Sequence, residues 1–307
     1  MKVHLDTDLG GDTDDLCALA FLLASPGVEI TGITTCLEHG GKRAGYVGYA
    51  LQLAGRTNIP VAAGADGGVV GLRCASGLPD ERDYWPESVP AYPSRAGEAL
   101  ALLDESVEQG ATIVAIGGYT NLALLEAMRP GRLAQARIIL MGGYIPPLKE
   151  GLPPWGHECD WNMHIDLAAT QRVLACCRPT LVPVNVSLQT YLRARDLPRL
   201  RAAGPLAALM ARQAEANDRE YQHQALGKAS ALLPDDMLNF QHDPLACAVA
   251  LGCDGVVIEE LPLKLEIVNE YPLERLAAHG IPYRVVTAVD AERFNRYWLD
   301  TVAPQQA

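Results

Sequence analysis

Positive charge is scarce in this chain: 25 Lys and Arg face 37 Asp and Glu, a formal net charge of −12. A nucleic-acid backbone asks for a basic footprint, so no nucleic acid is expected as partner. Metal-binding cysteine spacings are missing too. The eight cysteines, adjacent Cys176-Cys177 among them, follow neither CxxC…CxxC nor CxxC…HxxxH. Most lie in apolar runs, as Cys17, Cys36 and Cys247 do, and read as buried reduced thiols. No P-loop, GxGxxG, GxSxG or HExxH occurs, and His157-Glu158 lacks a second histidine at the required spacing. No apolar stretch reaches membrane-spanning length, and the N-terminus enters a strand without a signal peptide. The expectation is a soluble cytoplasmic protein with no membrane partner. With 49% hydrophobic and 20% charged residues the chain can bury a sizeable core, as one large α/β domain or two small ones.

What is present is an unusual density of acid near the start. Asp6, Asp8, Asp12, Asp14 and Asp15 lie between a β-like run and the apolar run Leu16–Ala24. Carboxylates so close repel one another unless a cation or a hydrogen-bonding substrate neutralises them. Oxygen-only donors suit Ca²⁺ or Mg²⁺ rather than zinc. Alternation along Val3–Asp8 puts Asp6 and Asp8 on one side of a strand, while Asp14 and Asp15 open a helix whose N-terminus favours carboxylates. The alternative is a solvated acidic loop with capping aspartates. An EF-hand is excluded, because its fifth position is Gly10 and its twelfth Cys17. An aspartyl-phosphate phosphatase would want a downstream lysine, and few lysines stand in suitable turns.

Strand-like and helix-like segments alternate, which predicts an α/β fold: a single domain over residues 1–307 with a mostly parallel, Rossmann-like sheet and helices on both faces. Strands are expected at Val3–Asp8, Glu29–Thr35, Pro60–Ala63, Thr112–Gly117, Arg137–Met141, Thr180–Asn185, Val256–Val268 and Tyr283–Ala288. Helices are expected at Leu16–Ala24, Lys42–Ala54, Arg95–Glu108, Leu122–Met128, Leu167–Cys176, Pro205–Tyr221, Pro244–Leu251 and Ala291–Thr301. The run Val256–Val268 is expected to bend into a hairpin around Pro262, giving an antiparallel portion. Two long loops, Gly64–Pro93 and Tyr144–Trp161, are candidates for function. In open α/β sheets ligands bind at the carboxyl ends of strands, so the polar turns after the strands should converge on one crevice.

Three further constellations could join the acid cluster. Ile116 to Leu122 carries Thr120-Asn121, which could also simply cap the next helix. Phe240-Gln241-His242-Asp243 sets an imidazole beside a carboxylate at another helix entry, a candidate general acid next to a candidate metal ligand. Asp160-Trp161-Asn162, followed by Asp166, could hydrogen-bond a polyol or form a turn.

In this order and spacing the four constellations resemble the inosine-uridine-type nucleoside hydrolases. Asp6-Thr7-Asp8-Leu9-Gly10 with Asp14-Asp15 matches that family's opening, and Pro60 to Gly64, Gly117 to Asn121, Leu140 to Gly143 and His242-Asp243 follow. The resemblance implies that Asp8, Asp15, the carbonyl of Thr120 and Asp243 hold Ca²⁺. It implies that Asp8 takes a proton from the attacking water, that Asp14 and Asn162 hold the ribose, and that His242 donates to the leaving base. It also implies a homo-oligomer, dimer or tetramer. The chain departs from the family in the longer opening loop around Gly11, Asp12 and Thr13. It departs again after the second strand, where Glu38-His39 stands in place of the usual Asn, and at Asp160, where a Glu usually meets the 5′-hydroxyl; His39 and Asp160 are counted here as substrate-binding candidates.

The expected activity is Ca²⁺-dependent hydrolysis of a nucleoside, common or modified, to ribose and free base. Alternatives are a non-catalytic nucleoside- or sugar-binding protein and a hydrolase of a different N-glycoside. Trp155, Trp161, Tyr221 and His223 could close over a base, or could pack structurally.

Overall fold

The first strand serves two different cores. In β1 (Lys2–Thr7), Val3 and Leu5 enter the apolar cluster on one face of the sheet. His4 and Asp6 point to the other face, where His4 meets Ser106 and Thr34 and Asp6 meets Thr34 and Asn121. This period-two division continues along the neighbouring strands and defines the layers of the molecule. The computed structural model describes residues 1–73 and 77–305, so Cys74 lies outside the described residues.

The remaining strands are β2 (Glu29–Thr35), β3 (Val61–Ala63), β4 (Thr112–Ala115), β5 (Ile138–Met141), β6 (Thr180–Val182), β7 (Tyr191–Arg193), β8 (Met237–Phe240), β9 (Val256–Val268), β10 (Tyr271–Leu276) and β11 (Ile281–Val289). Nine of them form one sheet in the order β10-β9-β11-β6-β5-β4-β1-β2-β3, and β7 pairs with β8 separately. From β3 to β11 the neighbours run parallel; β9 and β10 run antiparallel to theirs. Helices Asp14–Ala24, Lys42–Leu53, Pro205–Tyr221, His242–Leu251 and Ala291–Val302 cover one face, packing Leu16, Phe21, Val47, Met210, Leu245 and Trp298 onto Val114 and Ile139. Helices Glu98–Glu108, Thr120–Met128 and Leu167–Cys176 cover the other, where Leu103, Leu122 and Val173 meet Ile113 and Leu140. The fold is the expected single α/β domain with a mostly parallel sheet.

Two expectations need correction. Val256–Val268 does not bend at Pro262 but runs on as a single strand. Pro262 faces Pro282 across the ladder, so neither missing N–H is called upon at that pair. The hairpin turn comes instead at Asn269-Glu270, both left-handed (φ 51° and 67°), as a two-residue turn between paired strands requires. The strand expected to reach Asn185 stops at Val182, and Pro183 leads into a helical turn, Val184–Ser187. Three helices also begin earlier than hydrophobic periodicity predicts, at Asp14, Thr120 and His242, because their first turns are polar. Those polar first turns lie at or beside the crevice.

The seven described cysteines are all free thiols, and Cys17, Cys36 and Cys247 are buried. Among the described residues no helix is long and apolar enough to cross a membrane.

Candidate active site

The carboxyl ends of β1, β4 and β5 open onto a cavity of about 560 Å³, lined by Asp8, Ile116 and Met141 from those ends. Its acid wall is built by backbone hydrogen bonds. The Thr7 hydroxyl donates to Asp15 and accepts the Leu9 N–H at 3.1 Å, which folds the turn back on itself. Asp14 accepts the Asp243 backbone N–H at 3.2 Å, so the first turns of helices Asp14–Ala24 and His242–Leu251 face each other across the acid. The Asp14 N–H in turn donates to Asp12 Oδ1 at 3.2 Å. Gly10 makes room for the longer loop: its φ is +113°, and a Cβ there would lie 2.3 Å from the Tyr46 ring. Gly117 does the same beside Asp8, where a Cβ would stand 2.6 Å from Oδ1.

Carboxylate oxygens of Asp12, Asp14 and Asp15 lie within 4.8 Å of one another and could hold a metal ion. Burial, followed by repulsion from neighbouring aspartates, pushes the Asp14, Asp15 and Asp243 carboxyls well above the usual range. Burial raises Asp8 as well, with the Arg43 guanidinium pulling it back. Arg43 is the Lys or Arg that lines the cavity among the described residues. It donates to the carbonyls of Leu37 (2.8 Å), Asp8 and Gly77 (3.0 Å), tying three loops together. One guanidinium facing five carboxyl groups leaves the wall short of positive charge, and the oxygen-only donor set fits a hard cation.

Of the metal ligands implied by the resemblance, Asp8, Asp15 and Asp243 line the cavity and Thr120 does not. Thr120 is buried, and its hydroxyl donates to Asp166 Oδ2 at 2.7 Å. Asp12, which the expected set lacked, belongs to the acid group. Asp6 is also a correction: the chain leaves the strand after Thr7, so Asp8 enters the cavity while Asp6 stays in the sheet interior. There Asp6 accepts from Thr34 (2.5 Å) and Asn121 (2.8 Å), and burial pushes its carboxyl up to about 7. Asn121 is no cap; its amide bridges Asp6, the Thr35 carbonyl and the Ala65 N–H.

Asp14 and Asn162 both line the cavity. Asn162 donates to the carbonyls of Ile116 (2.8 Å) and Met141 (3.0 Å), anchoring its short helix to the ends of β4 and β5. Asp160 lines the cavity too, with its carboxylate accepting the N–H groups of Gly143 (2.5 Å) and Met163 (3.2 Å). Burial raises it to about 6, and Glu274 behind it, buried and facing that charge, to about 8. His39 lies outside the cavity and is exposed. The left-handed Leu37 (φ 51°) turns Glu38 inward instead, where it accepts from Thr35 and from the N–H groups of His39 (3.1 Å), Arg43 (3.1 Å) and Ala44 (2.8 Å).

A second part of the lining, here called the aromatic wall, is formed by rings. Trp155, Trp161, Tyr221 and His223 all line the cavity, and Phe240 stands at its centre. Ring centroids of Trp155, His223 and His242 lie 5.6, 5.8 and 5.2 Å from that of Phe240. Phe240 closes β8 immediately before the His242 helix, and no role of its own was expected for it from sequence. His242 Nδ1 lies 2.7 Å from Ser187 Oγ, so the ring meets the cavity through Nε2. Burial lowers its pKa to about 4.

A family model described as inosine-uridine preferring nucleoside hydrolase matches residues 3–296. The chain belongs to that family. A pyrimidine-specific ribonucleoside hydrolase of Salmonella paratyphi A is 30% identical over 226 residues, 69% of each chain. Among solved structures, a plant nucleoside hydrolase superposes with a TM-score of 0.80 at 21% identity, covering 99% of both chains. A purine-preferring ribonucleoside hydrolase from Gardnerella vaginalis gives 0.78 at 20% identity, over 99% of this chain and 98% of its own. These two likenesses speak for the fold. As a nucleoside hydrolase, the protein is an enzyme that cleaves N-glycosidic bonds, and its acid and aromatic walls are the parts available for that chemistry.

Proposed function

We propose that this nucleoside hydrolase splits a ribonucleoside, common or modified on its sugar, into ribose and free base in a Ca²⁺-dependent reaction. The observation that carries the reading is one cavity lined both by a cation-deficient group of carboxylates and by aromatic rings that include an imidazole. Asp8, Asp15 and Asp243, with Asp12 beside them, would hold the ion; Thr120 would contribute only through its carbonyl. When bound, the cation acidifies and orients the attacking water.

Asp8 takes the proton of that water as its oxygen bonds to the anomeric carbon. The carbon–nitrogen bond breaks with its electron pair going to the base, and His242, in its protonated form, gives its Nε2 proton to the nitrogen that leaves and becomes neutral imidazole. Asp14 and Asn162 grip the ribose hydroxyls and hold the anomeric carbon in line. Trp155 and Phe240 give the base flat apolar surfaces. The protein is proposed to act in the cytoplasm as a homodimer or homotetramer, as the family resemblance implies.

The test is release of base and reducing sugar from purine, pyrimidine, deoxy- and 5′-modified nucleosides, with and without chelator. Chelator-sensitive release that Ca²⁺ restores supports the reading; release that ignores chelation overturns the metal. The engagement of Asp160 with backbone N–H groups and the outward His39 favour one second reading, a non-catalytic nucleoside-binding protein. It predicts saturable binding with no base released.

A further inference from the structure

Helix Pro205–Tyr221 stops at Gln222, whose left-handed φ of 57° redirects the chain before helix His223–Ala229 begins. The turn sets His223 against the cavity, with the Phe240 ring on one side (5.8 Å between centroids) and Tyr221 on the other (6.0 Å). Its Nδ1 lies 2.9 Å from the carbonyl oxygen of Leu238. A carbonyl only accepts, so Nδ1 carries a hydrogen, and in a neutral imidazole the other nitrogen then holds a lone pair. Burial lowers the basicity of this ring against the opposing pull of Asp12 and Asp218, which keeps Nε2 bare at neutral pH. His242, across Phe240, faces Ser187, whose hydroxyl gives its one hydrogen to the Val184 carbonyl (3.2 Å); its Nδ1 therefore also carries a hydrogen, and its Nε2 carries one only when the ring is protonated.

We propose that His223 is a specificity residue, its Nε2 accepting a hydrogen bond from an unsubstituted N–H on the edge of the base. This rests on the reading that the cavity holds a nucleoside. The aromatic wall then offers two imidazoles: His223 accepts from the base, and His242 donates to it only in its protonated form. Modification of the sugar leaves the first contact untouched, whereas N-alkylation of the base removes its hydrogen and leaves a half-buried acceptor facing a methyl group. A site built around such a contact rejects the analogue lacking it far more strongly than an apolar pocket rejects a methylene.

The experiment is calorimetric binding, with Ca²⁺ present, of uridine against 3-methyluridine, inosine against 1-methylinosine, and adenosine against N6,N6-dimethyladenosine. Base release is followed in the same samples. For the pair that binds best, Kd should rise about tenfold or more on methylation. His223→Phe, which keeps a ring and loses the acceptor, should shrink that gap to below about threefold, and His223→Gln, which keeps an acceptor oxygen, should retain most of it. Equal affinity within every pair for the wild type, or a gap that survives in His223→Phe, overturns the proposal. Should His223→Phe fail to fold by its thermal melt, the wild-type gap and His223→Gln decide. Binding without base release sinks the hydrolytic reading while the affinities still judge His223; no binding of any nucleoside overturns both.

Discussion

The two walls of the cavity are made in different ways. The acid wall takes Asp8, Asp12, Asp14 and Asp15 from one short stretch and adds only Asp243 from afar, held by backbone N–H groups and helix starts. The aromatic wall gathers Trp155, His223 and His242 around Phe240 from three distant segments, held by ring contacts and two single hydrogen bonds. A wall fixed by its own backbone keeps its geometry whatever stands opposite. A wall assembled from side chains can be refitted one residue at a time. Chemistry and base choice are therefore separable in this enzyme: damage to the acid wall should fall on all substrates alike, and damage to the aromatic wall should depend on the base.

The largest expected effect is on the acid side. Asp8→Asn keeps the shape and removes the proposed base for the water's proton, so kcat should fall roughly 10²–10⁴-fold. The fall should be equal, within a few-fold, for a purine and a pyrimidine nucleoside that the wild type hydrolyses. A loss confined to one base class would break the comparison. His242→Gln should lower kcat on nucleosides by about 10²-fold, the low end for a general acid. On 4-nitrophenyl riboside, whose leaving group departs without a proton, the same variant should stay near wild type. Steady-state rates on both substrates check this, and equal losses would remove His242 from proton donation.

Cation binding should come next. At about 100 times its Kd, Ca²⁺ stabilises a folded protein by roughly 2.7 kcal/mol if the unfolded chain does not bind it. The shift in thermal midpoint should vanish in Asp15→Asn and Asp243→Asn and persist in Asp6→Asn. If Asp6→Asn abolished it, Asp6 would belong to the acid wall after all.

The same division governs how far the sequence could be read. The acid wall is local, so repulsion among neighbouring aspartates announced it, and strand–helix alternation announced the parallel sheet. Asp6 and Asp8 look alike on a strand; they part because the strand ends at Thr7, which depends on pairing partners far away in the chain. The Thr120 hydroxyl is engaged by Asp166 and the Asp160 carboxylate by the N–H of Gly143, partners set by tertiary packing that no local pattern announces. The left-handed backbone at Leu37 decides that Glu38 rather than His39 turns inward, and no local residue pattern signals it. The hairpin was misplaced because Pro262 reads as a turn residue unless its cross-strand partner, Pro282, is known.

The smallest expected effect lies under the acid wall, where two neighbours on β1 should respond to pH in opposite directions. Thr34 donates its one hydroxyl hydrogen to Asp6, so it must accept from His4 Nε2, and His4 Nδ1 is left to accept from Ser106. A second proton on His4 would meet the Ser106 hydrogen, and with full burial its pKa falls to about 3. The unfolded chain protonates His4 near pH 6.5 and the folded chain does not, so stability is lost as pH falls below that value. Asp6, raised to about 7, works the other way: the folded state takes up its proton first, and stability grows as pH falls through neutrality. The two effects overlap in the wild type and separate by substitution. In urea titrations at pH 7.5 and 5.5, His4→Gln should lack a loss of about 1.4 kcal/mol that the wild type suffers. Asp6→Asn should lack the compensating gain, so that acidification weakens it more than the wild type. Parallel pH profiles for all three proteins would mean that neither buried group changes its protonation on unfolding, and that the acid wall alone sets the response.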